Sequence, residues 1–352
     1  MPDRYTSFAG ETRAVGRRSG LHGTSPCNTD SSSFGFEARP MTIPLRPLGR
    51  TELRVSEIGF GGVEIGLEYG IQVRSQTNLP DPRVATRIVQ RAIEMGVNVI
   101  DTARGYGASE RLIGDASATM RDQLVLMTKV SCPGKDTHGR ALRDLINNSL
   151  ETSLAELQTS YVDVLSVHSA SAHILSRGEV VDCVDRLRAA GKVRYVGATV
   201  YTAQEALAAL QDPRIHVLQI AYSLLDPSMA DQIIPLAAQR GVGIIARSVL
   251  HRGVLTGKGA QGSADERRLY AHACNYDFLF DDQTTTLPQV AVRFVLSNEG
   301  VSCALLGMDT LCQVEENLAA LPQFPYPDAD ILRATDQCPS DPWSILPGHS
   351  ST

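Results

Sequence analysis

The 352-residue sequence lacks the cysteine and histidine patterns of disulfide-bonded and metal-binding proteins. Its seven cysteines are odd in number and include no Cys-x-x-Cys pair, and its eight histidines include no His-Glu-x-x-His motif. Scattered cysteines of this kind are typical of reduced thiols in the cytosol. We therefore predict a cytoplasmic protein without a metal site.

The sequence also lacks a long hydrophobic run and an excess of positive charge. No apolar run approaches the ~20 residues that span a bilayer, and the N-terminus has no apolar signal-peptide core. The formal net charge is −6, whereas a general nucleic-acid binder presents a basic face to phosphates. We therefore expect neither a membrane nor a nucleic acid as partner.

Two glycine-rich segments fall short of the common nucleotide-binding motifs. GFGGVEIG at residues 59–66 misses the Gly-x-Gly-x-x-Gly fingerprint because Glu64 stands where the third glycine belongs. GVLTGKG at residues 253–259 is one residue short of a Walker A loop and ends in Gly instead of Ser or Thr. Neither fragment supports a Rossmann domain or ATP hydrolysis.

The chain divides into three predicted regions. Residues 1–40 are rich in Ser, Gly, Arg and Thr, which favours a disordered tail. Patterned sequence begins at about Met41 and continues to about residue 325, and residues 326–352 form a C-terminal extension. The middle region is long enough for one large domain.

Short apolar runs alternate with helical periods through the middle region, as in a (β/α)8 barrel. Strands separated by helices form a parallel sheet, because a parallel return needs a crossover connection. Eight such units over about 270 residues match the usual size of a TIM barrel. The predicted strands are SEIGFG, NVID, LVLMTK, DVLSVH, VRYVGA, VLQIAY, VGIIAR and VSCALLG.

Two segments depart from this repeat. LRPLGRTELRVS predicts an N-terminal β-hairpin that turns at Gly49-Arg50-Thr51 and plugs the bottom of the barrel. The interval from Leu250 to Thr286 exceeds an ordinary strand-to-helix loop and lacks a strong period. We interpret that interval as a candidate lid or cofactor clasp.

Four chemically active side chains fall at or just beyond the ends of three successive predicted strands. Asp101 and Tyr106 follow NVID, Lys129 ends LVLMTK, and His168 ends DVLSVH. Taken singly, the two charges would be solvated, the tyrosine a packed turn residue and the histidine a structural one. Their coincidence at one rim, where barrel active sites form, favours a catalytic group.

The four residue types together suit proton transfer to a carbonyl. A phenol has an ordinary pKa of about 10, and a nearby ammonium such as Lys129 lowers it. Asp101 can hold that ammonium and offset its burial. His168 can donate a hydrogen bond to a carbonyl or alcohol oxygen as charge shifts.

The loops after the seventh and eighth strands form a candidate phosphate-binding rim, as in many barrels. Taken alone, the group after the eighth strand is more typical of an ordinary helix start with an exposed polar face. Its position in the barrel favours the cofactor site. The residues concerned are Ser248, Leu250, Gly253 and Leu255 after IIAR, and Gly307, Asp309, Gln313, Glu316 and Asn317 after CALL.

Five motifs together make the chain resemble an aldo-keto reductase from Arg46 to about Leu321. DTARGYGASERLIG is similar to the family's segment with the catalytic Asp and Tyr, LMTKV to its Lys segment, and DVLSVHSA to its His segment. IIARSVLHRGVLTGK resembles the cofactor loop, and LLGMDTLCQVEENLAAL the adenine-binding helix. The resemblance implies a (β/α)8 barrel that binds NAD(P)H and moves hydride to or from a carbonyl carbon.

The resemblance also implies a role for each matching residue. Tyr106 would be the general acid for reduction or the base for oxidation, Lys129 and Asp101 would tune it, and His168 would position the substrate oxygen. The implied cofactor contacts are Thr199 and Gln219 at the carboxamide, Ser248 and Leu250 at the pyrophosphate, and Gln313, Glu316 and Asn317 at the adenosine.

Three positions depart from the family pattern. Val200 replaces a common Asn, and Arg247 replaces the aromatic residue that commonly stacks on the nicotinamide; a planar guanidinium can also stack. Asp309 stands where members that prefer NADPH often carry a basic or small polar residue. A carboxylate there would repel a 2′-phosphate and favours NAD, although Asp309 is also explained as a helix N-cap.

Two functions compete on these grounds. The first is an NAD(P)-dependent oxidoreductase acting on a small carbonyl, alcohol or sugar, and GMDTLCQVEEN is most similar to the branch of galactose and other aldose dehydrogenases. The second is a non-catalytic cofactor sensor, as in the potassium-channel beta subunits of the same fold. The complete set of four catalytic residues favours the enzyme, and no added basic or coiled segment indicates a protein partner.

Overall fold

The computed structural model of the chain describes residues 43–71, 79–134, 136–282, 284–319 and 325–343. The predicted tail, residues 1–40, lies outside these ranges, as does the end of the predicted extension from residue 344 onward. No helix among the described residues is long and apolar enough to cross a membrane.

Eight parallel strands close into a barrel, which confirms the predicted fold. Each strand pairs with its neighbours in chain order, and the last pairs with the first through registers such as Gly307 with Gly61. The strands are β3 (Ile58–Gly61), β4 (Val99–Asp101), β5 (Val125–Ser131), β6 (Val162–His168), β7 (Val193–Thr199), β8 (Ile215–Ala221), β9 (Gly243–Arg247) and β10 (Val301–Gly307).

Helices connect the strands and cover the outside of the barrel. Their apolar faces pack on the outward side chains of the strands, as the sequence periodicity requires. The helices are α1 (Val63–Gly66), α2 (Pro82–Glu94), α3 (Ser109–Ser117), α4 (Gly139–Glu156), α5 (Ala172–Arg177), α6 (Glu179–Ala189), α7 (Ala203–Gln211), α8 (Ile233–Gln239), α9 (Ala264–Ala273), α10 (Leu287–Ser297), α11 (Leu311–Ala319) and α12 (Asp328–Asp336).

The predicted N-terminal hairpin closes the bottom of the barrel. Its strands are β1 (Leu45–Pro47) and β2 (Arg54–Ser56), paired antiparallel around the expected turn. Leu48, Leu53 and Val55 pack with inward side chains of the barrel strands. Arg50 donates to the carbonyls of Arg240 and Ile215 at 2.7 Å each. The bottom is therefore sealed, and the opposite rim is the open end.

The interval between β9 and α10 contains more structure than its sequence pattern predicts. It includes short 3-10 turns and the helix α9, which begins with a capping box between Ser263 and Glu266. The weak apolar period of α9 follows from its position, since only Leu269 and Ala273 are buried. The interval packs beside the open end as an ordered segment.

Candidate active site

Asp101 and Lys129 form a buried ion pair at the open end. Asp101 ends β4, and Lys129 lies in the neighbouring β5, two residues beyond Met127, the register partner of Asp101. The Lys129 Nζ atom donates to Asp101 Oδ2 at 2.6 Å and to the Thr102 carbonyl at 2.8 Å. Lys129 is 1% exposed, so this ammonium is fixed by its partners.

Tyr106 lies in a turn after β4 that packs closely on α1. A side chain at Gly66 would have its Cβ 2.1 Å from the Tyr106 carbonyl oxygen. Gly107 has φ +56°, and a Cβ added to it would be 2.1 Å from the Gly66 carbonyl oxygen. Both positions therefore require glycine, and their contact fixes the turn that carries Tyr106.

Tyr106 meets Lys129 and His168 at the mouth of the barrel. The Lys129 Nζ atom is 4.8 Å from the centroid of the Tyr106 ring. The rings of Tyr106 and His168 are 5.7 Å apart at an interplanar angle of 82°, an edge-to-face contact. The structure thus brings together all four side chains of the predicted catalytic group.

Burial dominates the pKa of Tyr106. Removal from water raises the pKa above its ordinary value, while the Lys129 ammonium opposes the shift without reversing it. The predicted lowering of the Tyr106 pKa is therefore wrong, because the prediction took account of the ammonium and not of burial. Burial also disfavours the charged form of Lys129, but Asp101 and Tyr106 more than compensate and raise its pKa. Tyr106 is therefore a phenol beside an ammonium at neutral pH.

His168 is held as a neutral imidazole. Burial, together with the positive charges of Lys129 and Arg247, lowers its pKa to about 4. A neutral imidazole can donate one hydrogen bond to an oxygen without adding a positive charge. This state suits the predicted role of orienting a carbonyl or alcohol oxygen.

Thr199 and Gln219, two predicted cofactor contacts, also support the catalytic group. The Thr199 hydroxyl accepts a bond of 2.7 Å from the backbone N–H of Ser169, directly after His168. Gln219 Nε2 donates to Asp101 Oδ1 at 2.9 Å. Both side chains are 2% exposed. They therefore fix the positions of His168 and Asp101 from inside the barrel.

The guanidinium of Arg247 lies over the ring of Tyr201 at the open end. Its Cζ atom is 4.1 Å from the Tyr201 ring centroid. Its guanidinium donates to the Val200 carbonyl and to Ser248 Oγ, each at 3.1 Å. Val200 and Arg247 both depart from the family pattern, and the backbone carbonyl of Val200 accepts the hydrogen bond that orients Arg247. The positive charge of the Arg247 guanidinium acts to lower the pKa of His168 and of Tyr106.

The loop after β9 is tied to the C-terminal segment. His251 is fully buried, and its ring lies 4.3 Å from the ring of Trp343, the single tryptophan. His251 Nε2 contacts the Pro342 carbonyl at 2.9 Å, and Trp343 Nε1 donates to Asp226 Oδ2 at 2.5 Å. Ser248 and Leu250 belong to this anchored loop.

The rim after β10 carries a charge cluster of a buried Asp309 and the half-buried Glu64 and Lys258. Asp309 is 6% exposed, and its Oδ2 atom lies 3.2 Å from Lys258 Nζ. The carboxyl group of Glu64 lies against Gly307, where an added Cβ would be 2.0 Å from Oε1. Thr310, not Asp309, accepts the bond from the Gln313 N–H that caps α11, at 3.2 Å.

Gln313, Glu316 and Asn317 share one face of α11, as their spacing predicts. Gln313 Oε1 accepts from the Asp309 N–H at 2.9 Å, and Glu316 accepts from Cys312 Sγ at 3.2 Å. The N-terminus of α11, the Arg247–Ser248 end of β9 and the buried acceptor oxygens of Glu64 and Asp309 surround one part of the rim. These groups fit a dinucleotide, which presents both anions and hydroxyl donors.

Sequence reasoning missed four side chains of the rim. Tyr201 stacks on Arg247, and Tyr69 stacks on Arg252, whose Cζ is 4.9 Å from its ring centroid. Glu64 and Lys258 sit in the two glycine-rich segments that fail as nucleotide motifs. Tyr201 and Glu64 follow the ends of β7 and β3 by two and three residues, which was a usable signal because strand ends converge on the site. Tyr69 and Lys258 lie farther along their loops and had no such signal. No group of three metal-ligating side chains occurs within the described residues.

Comparison with known proteins gives a consistent family. A model of the aldo/keto reductase family matches residues 57–337. An L-galactose dehydrogenase from Arabidopsis thaliana is 28% identical over 304 residues, covering 80% of this chain and 89% of that protein. An NADH-specific methylglyoxal reductase from Escherichia coli K12 is 27% identical over 306 residues, covering 78% of this chain and 92% of that protein.

A solved structure shares the fold. The aldo-keto reductase from Bacillus halodurans in its holo form superposes with a TM-score of 0.69 at 24% identity. The match covers 84% of this chain and 97% of that structure. It supports the barrel architecture described above.

Proposed function

Because the chain belongs to the aldo/keto reductase family, an oxidoreductase family that uses nicotinamide cofactors, we propose that it transfers hydride between NAD(H) and a small aldehyde or aldose, with Tyr106 as the acid and base. The main support for this proposal is that Tyr106 contacts both the buried Lys129 ammonium and the neutral His168 ring. These groups surround one point at the open end, where a substrate oxygen can meet a proton donor and a hydrogen-bond donor.

Each side chain has a defined part in the proposed reaction. When bound, the nicotinamide supplies hydride in reduction and accepts it in oxidation. Tyr106 gives its phenolic proton to the carbonyl oxygen in reduction and takes the alcohol proton in oxidation. Lys129 stabilises the phenolate that forms, and Asp101 keeps that ammonium in place. His168 donates a hydrogen bond to the same oxygen and orients it.

Residues of the last four strands, β7 to β10, and of the loops after β9 and β10 would hold the cofactor. Arg247 offers a planar surface and Gln219 an amide at the nicotinamide end, with Thr199 beside it. Ser248 and Leu250 would contact the pyrophosphate, and Gly307, Asp309, Gln313, Glu316 and Asn317 the adenosine end. The buried carboxylate of Asp309 supports NAD over NADP, because it would repel a 2′-phosphate.

The names of two relatives support the substrate class. One relative is an L-galactose dehydrogenase and the other an NADH-specific methylglyoxal reductase. An aldose in its hemiacetal form and a small aldehyde both offer an oxygen on the carbon that exchanges hydride. The same pair of residues, Tyr106 and His168, serves both. We therefore infer an aldehyde or aldose as the substrate.

The test removes the Tyr106 hydroxyl. We expect Tyr106→Phe to lower kcat by at least about 100-fold, the usual contribution of a positioned acid or base, with the Kd for NADH changed less than about threefold. Tyr161→Phe, which deletes a hydroxyl outside the site, is the matched control. Turnover is measured in both directions with a panel of aldehydes and aldoses.

Two results would contradict the proposal. Equal turnover in Tyr106→Phe and the unmodified chain would remove Tyr106 from the chemistry. NADH binding without oxidation by any carbonyl of the panel would favour the cofactor sensor instead. Since the pKa of Tyr106 is raised, oxidation, which needs the phenolate, should speed up as pH rises through the alkaline range.

A further inference from the structure

Glu64 is a half-buried residue whose Oε2 atom is buried, and the proposed reaction does not use it. It belongs to α1, directly after β3, and the neighbouring strand of the closed barrel is β10. Its carboxyl group lies against the backbone of Gly307, where all three carboxyl atoms would be 2.0–2.3 Å from an added Cβ. Only a residue without a side chain at position 307 leaves room for this contact.

Glu64 and Asp309 each keep one buried oxygen without a hydrogen bond. Within the described residues, neither Glu64 Oε2 nor Asp309 Oδ1 has a hydrogen-bond partner. A buried acceptor left unpaired destabilises the folded chain, and more so when it is charged. Two such oxygens at one rim indicate a ligand that brings donors.

Lys258 does not satisfy this need. Its Nζ atom lies 3.2 Å from Asp309 Oδ2, on the carboxylate oxygen opposite the unpaired one. One ammonium therefore faces two carboxyl groups, and Asp309 raises the pKa of Glu64 more than Lys258 lowers it. Negative charge prevails at this point of the rim whenever Glu64 is ionised.

We propose that Glu64 acts with Asp309 as a second specificity residue, accepting a hydrogen bond from a ribose hydroxyl of the dinucleotide and excluding a 2′-phosphate. A ribose presents two neighbouring hydroxyl groups, and two carboxylate oxygens accept from them. A phosphate has only acceptors and a negative charge, so it meets repulsion from both carboxylates. This inference rests on the proposed function, because it places an adenosine dinucleotide at the rim.

The protonation of Glu64 gives the inference a pH signature. Burial, with the charges of Asp309 and Asp101, raises the pKa of Glu64 to about 7, although its own backbone N–H and Lys258 oppose the shift. The carboxylate form therefore accumulates above pH 7. Rejection of the 2′-phosphate should strengthen between pH 6 and pH 8 because a carboxylate replaces a neutral acid.

The experiment compares the affinities of ADP-ribose and 2′-phospho-ADP-ribose by calorimetry. Both probes lack the nicotinamide and share the pyrophosphate and the terminal ribose, so the ratio of their affinities reports the 2′ position of the adenosine ribose. We expect the unmodified chain to bind ADP-ribose more tightly. Glu64→Gln and Asp309→Asn should each reduce this preference by about tenfold or more at pH 8, and the double variant should reduce it further. Glu52→Gln, an exposed carboxylate in the hairpin, is the control for net charge.

The pH series separates Glu64 from the phosphate of the probe. The part of the preference that grows between pH 6 and pH 8 because of Glu64 should disappear in Glu64→Gln. The part that comes from titration of the 2′-phosphate, with a pKa of about 6, should remain in every variant.

Defined outcomes overturn the inference. An unchanged preference in Glu64→Gln, or equal weakening of both probes, would make Glu64 a structural residue. Tighter binding of the phosphorylated probe by the unmodified chain would reject the exclusion itself. If neither probe nor NADH binds to protein with an intact circular dichroism spectrum, the proposed function fails, and with it the premise of the inference.

Discussion

At the scale of single residues, the site depends on charges that are buried and paired. The ammonium of Lys129 bonds to Asp101 Oδ2 at 2.6 Å, and Gln219 holds the other carboxylate oxygen at 2.9 Å. Breaking such a pair leaves an uncompensated buried charge. The pair is therefore fixed before any ligand binds, and the proton donor Tyr106 lies beside a charge that cannot reorient.

Neutral burial of His168 predicts a loss of stability in acid. Its pKa is about 4 in the folded chain and 6.5 in its ordinary state. Between these values the unfolded chain binds a proton that the folded chain does not. The free energy of unfolding should therefore fall as pH decreases from 6.5 to 4, by about 3 kcal/mol at most from this group.

Urea unfolding at several pH values tests this expectation. His168→Gln should flatten the pH dependence between 6.5 and 4, while His173→Gln, an exposed histidine of α5, should leave it unchanged. Parallel curves for His168→Gln and the unmodified chain would show that His168 does not supply the acid-sensitive step.

At the scale of the elements, parallel strand ends place the site. The sequence identified all eight barrel strands, because each is a short apolar run bounded by turn residues. It also identified Asp101, Tyr106, Lys129 and His168 as one group, since consecutive strand ends are neighbours in a barrel. The apolar periods of PRVATRIVQRAIEMG at residues 82–96 and ALRDLINNSLETSLAELQ at residues 141–158 predict α2 and α4 to within a few residues.

The elements that escaped prediction are those whose burial comes from contacts distant in sequence. Helix α9 has too few buried residues to give a period, and its start depends on a cap at Ser263. Tyr201 contacts Arg247, and Glu64 contacts Gly307. Both partners are distant in sequence, so no local pattern predicts either contact. Burial of Tyr106 reversed the expected direction of its pKa shift for the same reason.

The contact between the C-terminal segment and the loop after β9 predicts an effect on cofactor affinity. Trp343 lies on His251 and donates to Asp226, so it holds the loop that carries Ser248 and Leu250. We expect Trp343→Ala to weaken NADH binding severalfold, because the released loop would have to become ordered on binding, which costs conformational entropy. Trp343→Phe keeps an aromatic ring on His251 and should lose less.

NADH fluorescence titration measures both variants without relying on tryptophan emission. Equal affinity of Trp343→Ala and the unmodified chain would show that the loop keeps its conformation without the C-terminal contact. A larger loss of NADH affinity in Trp343→Phe than in Trp343→Ala would also contradict the prediction, because the phenylalanine ring should keep part of the contact with His251.

At the scale of the whole molecule, the hairpin and the barrel form one closed unit. Gly49 has φ +54°, and a Cβ there would be 2.3 Å from the Gly243 nitrogen. Gly49→Ala should therefore separate the hairpin from the bottom of the barrel and lower the free energy of unfolding by about 3 kcal/mol or more. The matched control is Gly191→Ala, which has φ +77° with no heavy atom within 4 Å.

Alanine is strained at a positive φ in both variants. The difference between their free energies of unfolding therefore reports mainly the steric contact at position 49. Chemical unfolding followed by circular dichroism gives the two free energies. If Gly49→Ala and Gly191→Ala are destabilised equally, the hairpin does not depend on this close approach.

The pairing of the first barrel strand with the last has a consequence for synthesis on the ribosome. Strand β3, which contains Gly59, cannot pair with β10, which contains Leu305, until nearly the whole chain has been synthesised. Until then the nascent chain presents two unpaired β edges, which are templates for association with other chains. A polypeptide that ends before β10 should aggregate even though it contains the complete catalytic group, and the hairpin alone cannot protect it.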